Sequence, residues 1–269
     1  MNIHIKDKDF FHSLQSASLA SARFGSHLYK TNDQFSDSDI HYVYTTSEIE
    51  TISFLKSHHH LQYKEEGIDH IFVNLHTFLS NVIKGDSTVL FEIIHSDAFK
   101  GTSLEFLYDM RIAFNNYAII RAYLGYSRRD IQHYHKKETH REQLKALGHI
   151  HRGYFFAKSL MEGNFSLINN DFLEVFAEIK KITETDFKTK KHFLNKGQEL
   201  VTELRNELNH QFNNNLLGLP KYMTIGDMNN LDFKLKQLMI SQEWNTKKSY
   251  LDRFDMSLFY DAYENEINY

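Results

Sequence analysis

The chain has 269 residues, 41% of them hydrophobic and 25% charged, with a net charge of −4, no cysteine and one proline. This is an ordinary globular composition, long enough for a substantial core in one large domain or two smaller ones. Without cysteine there can be no disulfide, cysteine nucleophile or thiolate metal site, and the single proline predicts long helices and few rigid turns.

The opening MNIHIKDKDFF is charged, unlike a secretory signal peptide, and no window approaches eighteen consecutive apolar residues. A cytoplasmic chain with no membrane partner is therefore expected. Residues 1–95 mix β-rich runs with helices. Strands are predicted over Leu19–Phe24, Ile40–Tyr44 and Ile68–Asn74, and helices over Ser47–Ser57 and Leu75–Lys84. From about Thr102 onward the periodicity is helical throughout. Thr102-Ser103-Leu104-Glu105 has capping-box spacing, opening a helix expected to stop at Gly125. A second start at Ser127 to Asp130 opens a stretch to about Gly163, broken once. Further helices are expected over Asn170–Ile182 and Phe193–Phe212, the latter carrying a Leu200, Leu204, Leu208, Phe212 stripe suited to core packing. Pro220 marks a turn before the last helices. The expected fold class is α/β (α+β): a small mixed-sheet domain over 1–98, an all-helical domain over 99–245, and an acidic tail or last helix over 246–269.

Charge is unevenly spread. From Arg121 to Lys158 there are nine Lys/Arg against three acids, together with five histidines. Such a segment suits an anionic ligand, or it is a solvated helix surface.

The chemistry concentrates between residues 24 and 73. A predicted strand ends at Gly25-Ser26, where glycine permits a tight turn and the serine hydroxyl and following amides can hold phosphate oxygens. After a spacer comes Ser36-Asp37-Ser38-Asp39, running into the next strand. Residues i and i+2 of a strand share a face, so Asp37 and Asp39 project together and repel unless a cation lies between them; hard oxygen ligands suit Mg²⁺. Asp69 opens a third strand. If the two strands are neighbours, three carboxylates meet opposite a phosphate-binding turn, the layout for two-metal phosphoryl or nucleotidyl transfer.

These blocks resemble the DNA polymerase β-like nucleotidyltransferase superfamily, and in particular the bacterial and phage branch labelled predicted RNA-repair-pathway nucleotidyltransferases. The likeness rests on Gly25-Ser26-His27-Leu28-Tyr29, Ser36-Asp37-Ser38-Asp39, Ile68-Asp69, Val89-Leu90-Phe91-Glu92 and Lys145-Ala146-Leu147-Gly148-His149-Ile150-His151-Arg152, in that order over about residues 20–235. The family glycine after the tyrosine is Lys30 here.

The resemblance implies that residues 1–98 form the catalytic domain. Asp37, Asp39 and Asp69 would be both catalytic and metal-binding, holding Mg²⁺ (or Mn²⁺), with Asp69 helping to deprotonate the acceptor. Gly25 and Ser26 would bind NTP phosphates. Lys145, His149 and Arg152, spaced i, i+4 and i+7 on one helix face, would close over the triphosphate or else form an exposed basic face. The implied reaction moves an NMP from an NTP to a hydroxyl with release of pyrophosphate. An RNA or DNA 3′ end is the favoured acceptor, with a protein hydroxyl as another.

Two other readings stand beside this one. Arg205-Asn206-Glu207-Leu208-Asn209-His210 fits the Arg-x4-His pattern of HEPN ribonucleases, although a continuous helix would set its two ends about 140° apart. A catalytically inactive nucleotidyltransferase fold could also serve as a nucleotide- or nucleic-acid-binding module. His58-His59-His60 reads as a solvated helix end, and Glu92 as part of a helix–helix contact.

Overall fold

The computed structural model describes residues 2–6, 8–16, 18–32, 38–44, 60–65 and 67–240. Among them the chain order is β1 (Asn2–His4), α1 (Lys8–Ser16), β2 (Ser18–Phe24), β3 (Ser38–Tyr44), β4 (His60–Glu65), β5 (Ile68–Asn74), α2 (Leu75–Ile83), α3 (Thr88–His95), α4 (Glu105–Asp109), α5 (Tyr117–His133), α6 (His140–Met161), α7 (Asn170–Lys180), α8 (Phe187–Asn213) and α9 (Ile225–Ile240). The fold is thus a small mixed sheet with many helices. No helix among the described residues is long and apolar enough to cross a membrane.

The sheet order is β1-β4-β5-β3-β2. β3 and β5 run parallel, as do β1 and β4, whereas β2/β3 and β4/β5 are antiparallel. β2 alternates buried Ala20, Ala22 and Phe24 with exposed Ser21 and Arg23, the period-2 pattern of a strand with one covered face. Central β5 is apolar on both sides because both of its faces are covered. Phe72 packs with Tyr42, Tyr44, Leu61 and, from α1, Phe11 and Leu14. Val43 and Val73 point the other way into the main core, which continues through the helices to Leu235 and so crosses residues 98–99.

The strands expected over Leu19–Phe24, Ile40–Tyr44 and Ile68–Asn74 appear with at most two residues added, and the helix after them runs Leu75–Ile83. The helix expected over Ser47–Ser57, the acidic segment 246–269, and Asp37, His58 and His59 lie outside the described residues. His60 opens β4 rather than ending a helix.

The helix expected from Thr102 to Gly125 is in fact two. Thr102 Oγ1 accepts from Leu104 N at 3.1 Å and donates to Phe99 O at 2.8 Å, so its hydroxyl serves a turn rather than a capping box. The second helix, α5, starts at Asn116, whose side chain caps it by accepting from Ile119 N at 3.0 Å. Gly125 stops nothing and sits within α5. Ser127 opens no helix: only 1% exposed, it is near both Tyr123 O and Ile150 O, where α5 meets α6. The start of α6 is a capping box formed by Thr139 and Glu142. The Pro220 turn closes against α5, with Tyr117 N donating to Pro220 O at 3.0 Å and Ala118 N to Lys221 O at 3.2 Å. This satisfies two amides that the first helical turn leaves unpaired.

Candidate functional site

β2 ends in a single 3₁₀ turn, Gly25–His27, which brings the chain back towards β3. Gly25 has φ +70°, and a Cβ there would lie 3.3 Å from Asp39 Oδ2. Glycine therefore serves both the backbone conformation and the approach to the carboxylate. The loop closes where Thr31 N and Thr31 Oγ1 donate to Ser26 O at 2.9 and 3.3 Å. Lys30, at the position where the resembled family has glycine, has φ 57°. From α7, Lys180 Nζ donates to Thr31 O at 2.9 Å and ties the loop to the helices.

Tyr29 anchors this loop in the core. Its hydroxyl donates to Glu92 Oε2 on α3, and Tyr123 of α5 donates to Glu92 Oε1 at 2.8 Å. Glu92 is 0% exposed. Burial pushes its carboxyl above the ordinary value, against the opposing pull of Arg152 and the two tyrosine hydroxyls. The Arg152 guanidinium lies 4.3 Å over the Tyr29 ring. Glu92 therefore does join α3 to α5, and it also fixes the turn that follows β2.

Asp39 and Asp69 are register partners on the parallel strands β3 and β5, so they stand side by side on the same face. Asp69 Oδ1 is buried without a hydrogen bond, and Lys64 Nζ is 3.6 Å from it.

A cavity of about 460 Å³ opens between this end of the sheet and helices α6 and α7. Gly25, Ser26, Thr31 and Asp39 line one side; Arg141, Lys145, His149 and Arg152 of α6 and Lys180 of α7 line the other, with Phe172 and Phe176 supplying an apolar wall. His149 is held from behind. Its Nδ1 is 3.3 Å from Asp130 Oδ2 on α5, which leaves Nε2 available to a ligand. Burial keeps the His149 imidazole below its usual pKa despite the Asp130 bond, and the Arg152 and Lys145 charges act in the same direction. Asp130 itself, although burial would raise it, is held low by His149, Arg129 and Lys137.

The structure thus gathers Gly25, Ser26, Asp39, Lys145, His149 and Arg152 around one cavity. Asp69 adjoins Asp39 in the sheet but does not line the cavity. Arg205 and His210 are exposed on α8, which runs unbroken from Phe187 to Asn213, so one chain does not bring them together. Sequence reasoning missed Arg141, Lys180, Asp130 and the Tyr29–Glu92–Tyr123 cluster. Arg141 was findable, lying one turn before Lys145 on the same face. The other residues meet only through tertiary packing. No protein-family model matches the chain, and no curated protein matches it.

Proposed function

We propose that this chain is a metal-dependent nucleotidyltransferase whose NTP lies in the cavity between the sheet and α6. The observation that carries this reading is the meeting of the Gly25-Ser26 turn and Asp39 with Lys145, His149 and Arg152, residues more than a hundred positions away. Four fixed cations and two histidines face a single described carboxylate across a cavity of about 460 Å³, a balance that suits a polyphosphate. An NTP would place its phosphates between the amides of the turn and the α6 cations.

The donor set also fits Mg²⁺ or Mn²⁺. Asp39 and Asp69 offer hard oxygens on one face, and Asp69 Oδ1 is a buried acceptor with no hydrogen bond. Among the described residues no group of three ligating side chains forms; Asp37, the remaining expected ligand, lies outside them. Asp37, Asp39 and Asp69 would hold the metal, which when bound offsets charge on the triphosphate and lowers the pKa of the acceptor hydroxyl. Asp69 would take the proton of that hydroxyl. The acceptor oxygen bonds to the α-phosphorus as the α–β bridging bond breaks, and the electron pair leaves with pyrophosphate. Lys145, Arg152 and Arg141 would stabilise the charge that builds on this leaving group.

The test is incubation with each α-labelled NTP and RNA, DNA or protein acceptors in Mg²⁺ or Mn²⁺. The expected result is label on an acceptor with equimolar pyrophosphate, lost in the Asp37→Ala/Asp39→Ala double variant and reduced at least about a hundredfold by Asp69→Asn. Full activity in the double variant contradicts the assignment. Nucleotide binding without transfer by the wild type points to an inactive fold used for binding, and RNA cleavage lost in Arg205→Ala but kept in Asp37→Ala points to the nuclease.

A further inference from the structure

A second cavity, of about 490 Å³, follows α5 where that helix meets the turn after α2 and the Pro220 turn. Lys84, Arg121, Arg129 and Lys221 line it, against the single carboxylate of Asp86 among its described lining residues. Each of three of these cations lies beside a ring. Arg129 is 4.9 Å from the ring centroid of Tyr126, Arg121 is 5.6 Å from Tyr117, and Lys221 is 5.1 Å from Tyr222. Tyr126 is 38% exposed. Gly125, next to it, has nothing within 4 Å of where a Cβ would stand, so the floor beside that ring is open.

We propose that this groove binds single-stranded nucleic acid and seats the acceptor strand. The cations match a backbone that carries one phosphate per base, and Tyr126 is the ring exposed among them, Tyr117 being buried against Phe212: the cations take phosphates while an unpaired base stacks on Tyr126. A duplex keeps its bases stacked inside and offers the ring nothing, and an acidic peptide has charge but no flat partner. An ion-pair chain links the groove to a residue that lines the nucleotide cavity. Arg129 Nε is 3.7 Å from Asp130 Oδ1, and the other oxygen of that carboxylate faces His149. Assigning the strand as acceptor rests on the transferase reading, but its binding does not.

The test is fluorescence anisotropy of the full chain, without NTP, using labelled single-stranded RNA and DNA of about a dozen nucleotides and a duplex of the same sequence. Single strands should bind with a salt dependence, the duplex more weakly, and competition between RNA and DNA identifies the preferred sugar. Tyr126→Ala should weaken binding at least about fivefold with the salt slope unchanged, and Tyr126→Phe should restore it. Arg121→Ser/Lys221→Ser should reduce the salt slope by about 1.4, close to 0.7 per lost phosphate contact. Absence of single-strand binding, equal binding of the duplex, wild-type binding by Tyr126→Ala, or equal displacement by polyglutamate would each overturn the proposal. Asp39→Ala should bind the strand as the wild type does. Binding in a chain that transfers no label therefore sinks the transferase and leaves the groove standing, whereas transfer without single-strand binding does the reverse.

Discussion

At the residue scale the loop from Gly25 to Thr31 shows how local conformation serves the site. Lys30 sits at φ 57° in the left-handed region, where a β-carbon costs about 1–2 kcal/mol. Lys30→Gly should therefore leave stability unchanged or raise it by up to about 1 kcal/mol, because the relief exceeds the added chain entropy. Lys30→Val should lower it, a β-branched residue being the least tolerant there. Urea unfolding of the two variants checks this, and a loss in Lys30→Gly larger than in Lys30→Val contradicts it. That Gly25, Ser26 and Asp39 would lie together was legible in the sequence because the pattern is local: a glycine and a serine ending one strand, and a carboxylate entering the next. Glu92 was legible only as a helix contact. Its tyrosine partners lie 63 and 31 residues away and carry no pattern that links them before the chain folds.

At the element scale α5 and α6 divide the basic segment between two places. The α5 cations Arg121 and Arg129 line the groove beside Tyr126, while the α6 cations Arg141, Lys145 and Arg152 line the cavity between α6 and the sheet. Along the chain these cations form one run of positive charge; only the helix break near residues 134–139 separates its two halves. That break was partly readable, since Thr139 and Glu142 have the same capping-box spacing as Thr102 and Glu105. Identical spacing acts at one position and not the other because the Thr102 hydroxyl is engaged by its own turn. The two helices approach closely at Gly153, where a Cβ would lie 2.0 Å from Ser127 Oγ and 3.0 Å from Tyr123 O. Gly153→Ala should therefore cost about 1–3 kcal/mol by overpacking, although the same change in an exposed helix interior stabilises by about 1 kcal/mol. Thermal unfolding distinguishes these outcomes, and a raised midpoint contradicts the close approach of α5 and α6 at Gly153.

At the scale of the whole molecule, one core joins the sheet's inner face to the helices, and buried histidines within and beside it make stability depend on pH. Burial pushes His41 and His95 down to about 4, with His60 adding to the effect on His41 and Arg111 to that on His95. The unfolded chain takes up these protons near pH 6.5 and the folded chain resists until about 4. Stability present above pH 6.5 is therefore lost as the pH falls through that window, by about 2 kcal/mol per imidazole between pH 7 and pH 5. Urea unfolding at the two values should show the loss, and His95→Leu should show a smaller one; an identical slope in that variant contradicts the assignment.

Whether the cavity between the sheet and α6 holds a triphosphate is tested most directly by titration of a fluorescent NTP with Mg²⁺ against the wild type and Lys145→Ala. Lys145 is exposed, so its removal should leave the fold intact while removing a charged phosphate contact. Saturable binding by the wild type is expected, with at least about tenfold weaker binding by Lys145→Ala and no change in Arg205→Ala. Failure of the wild type to bind any NTP, or equal affinity in Lys145→Ala, would contradict it.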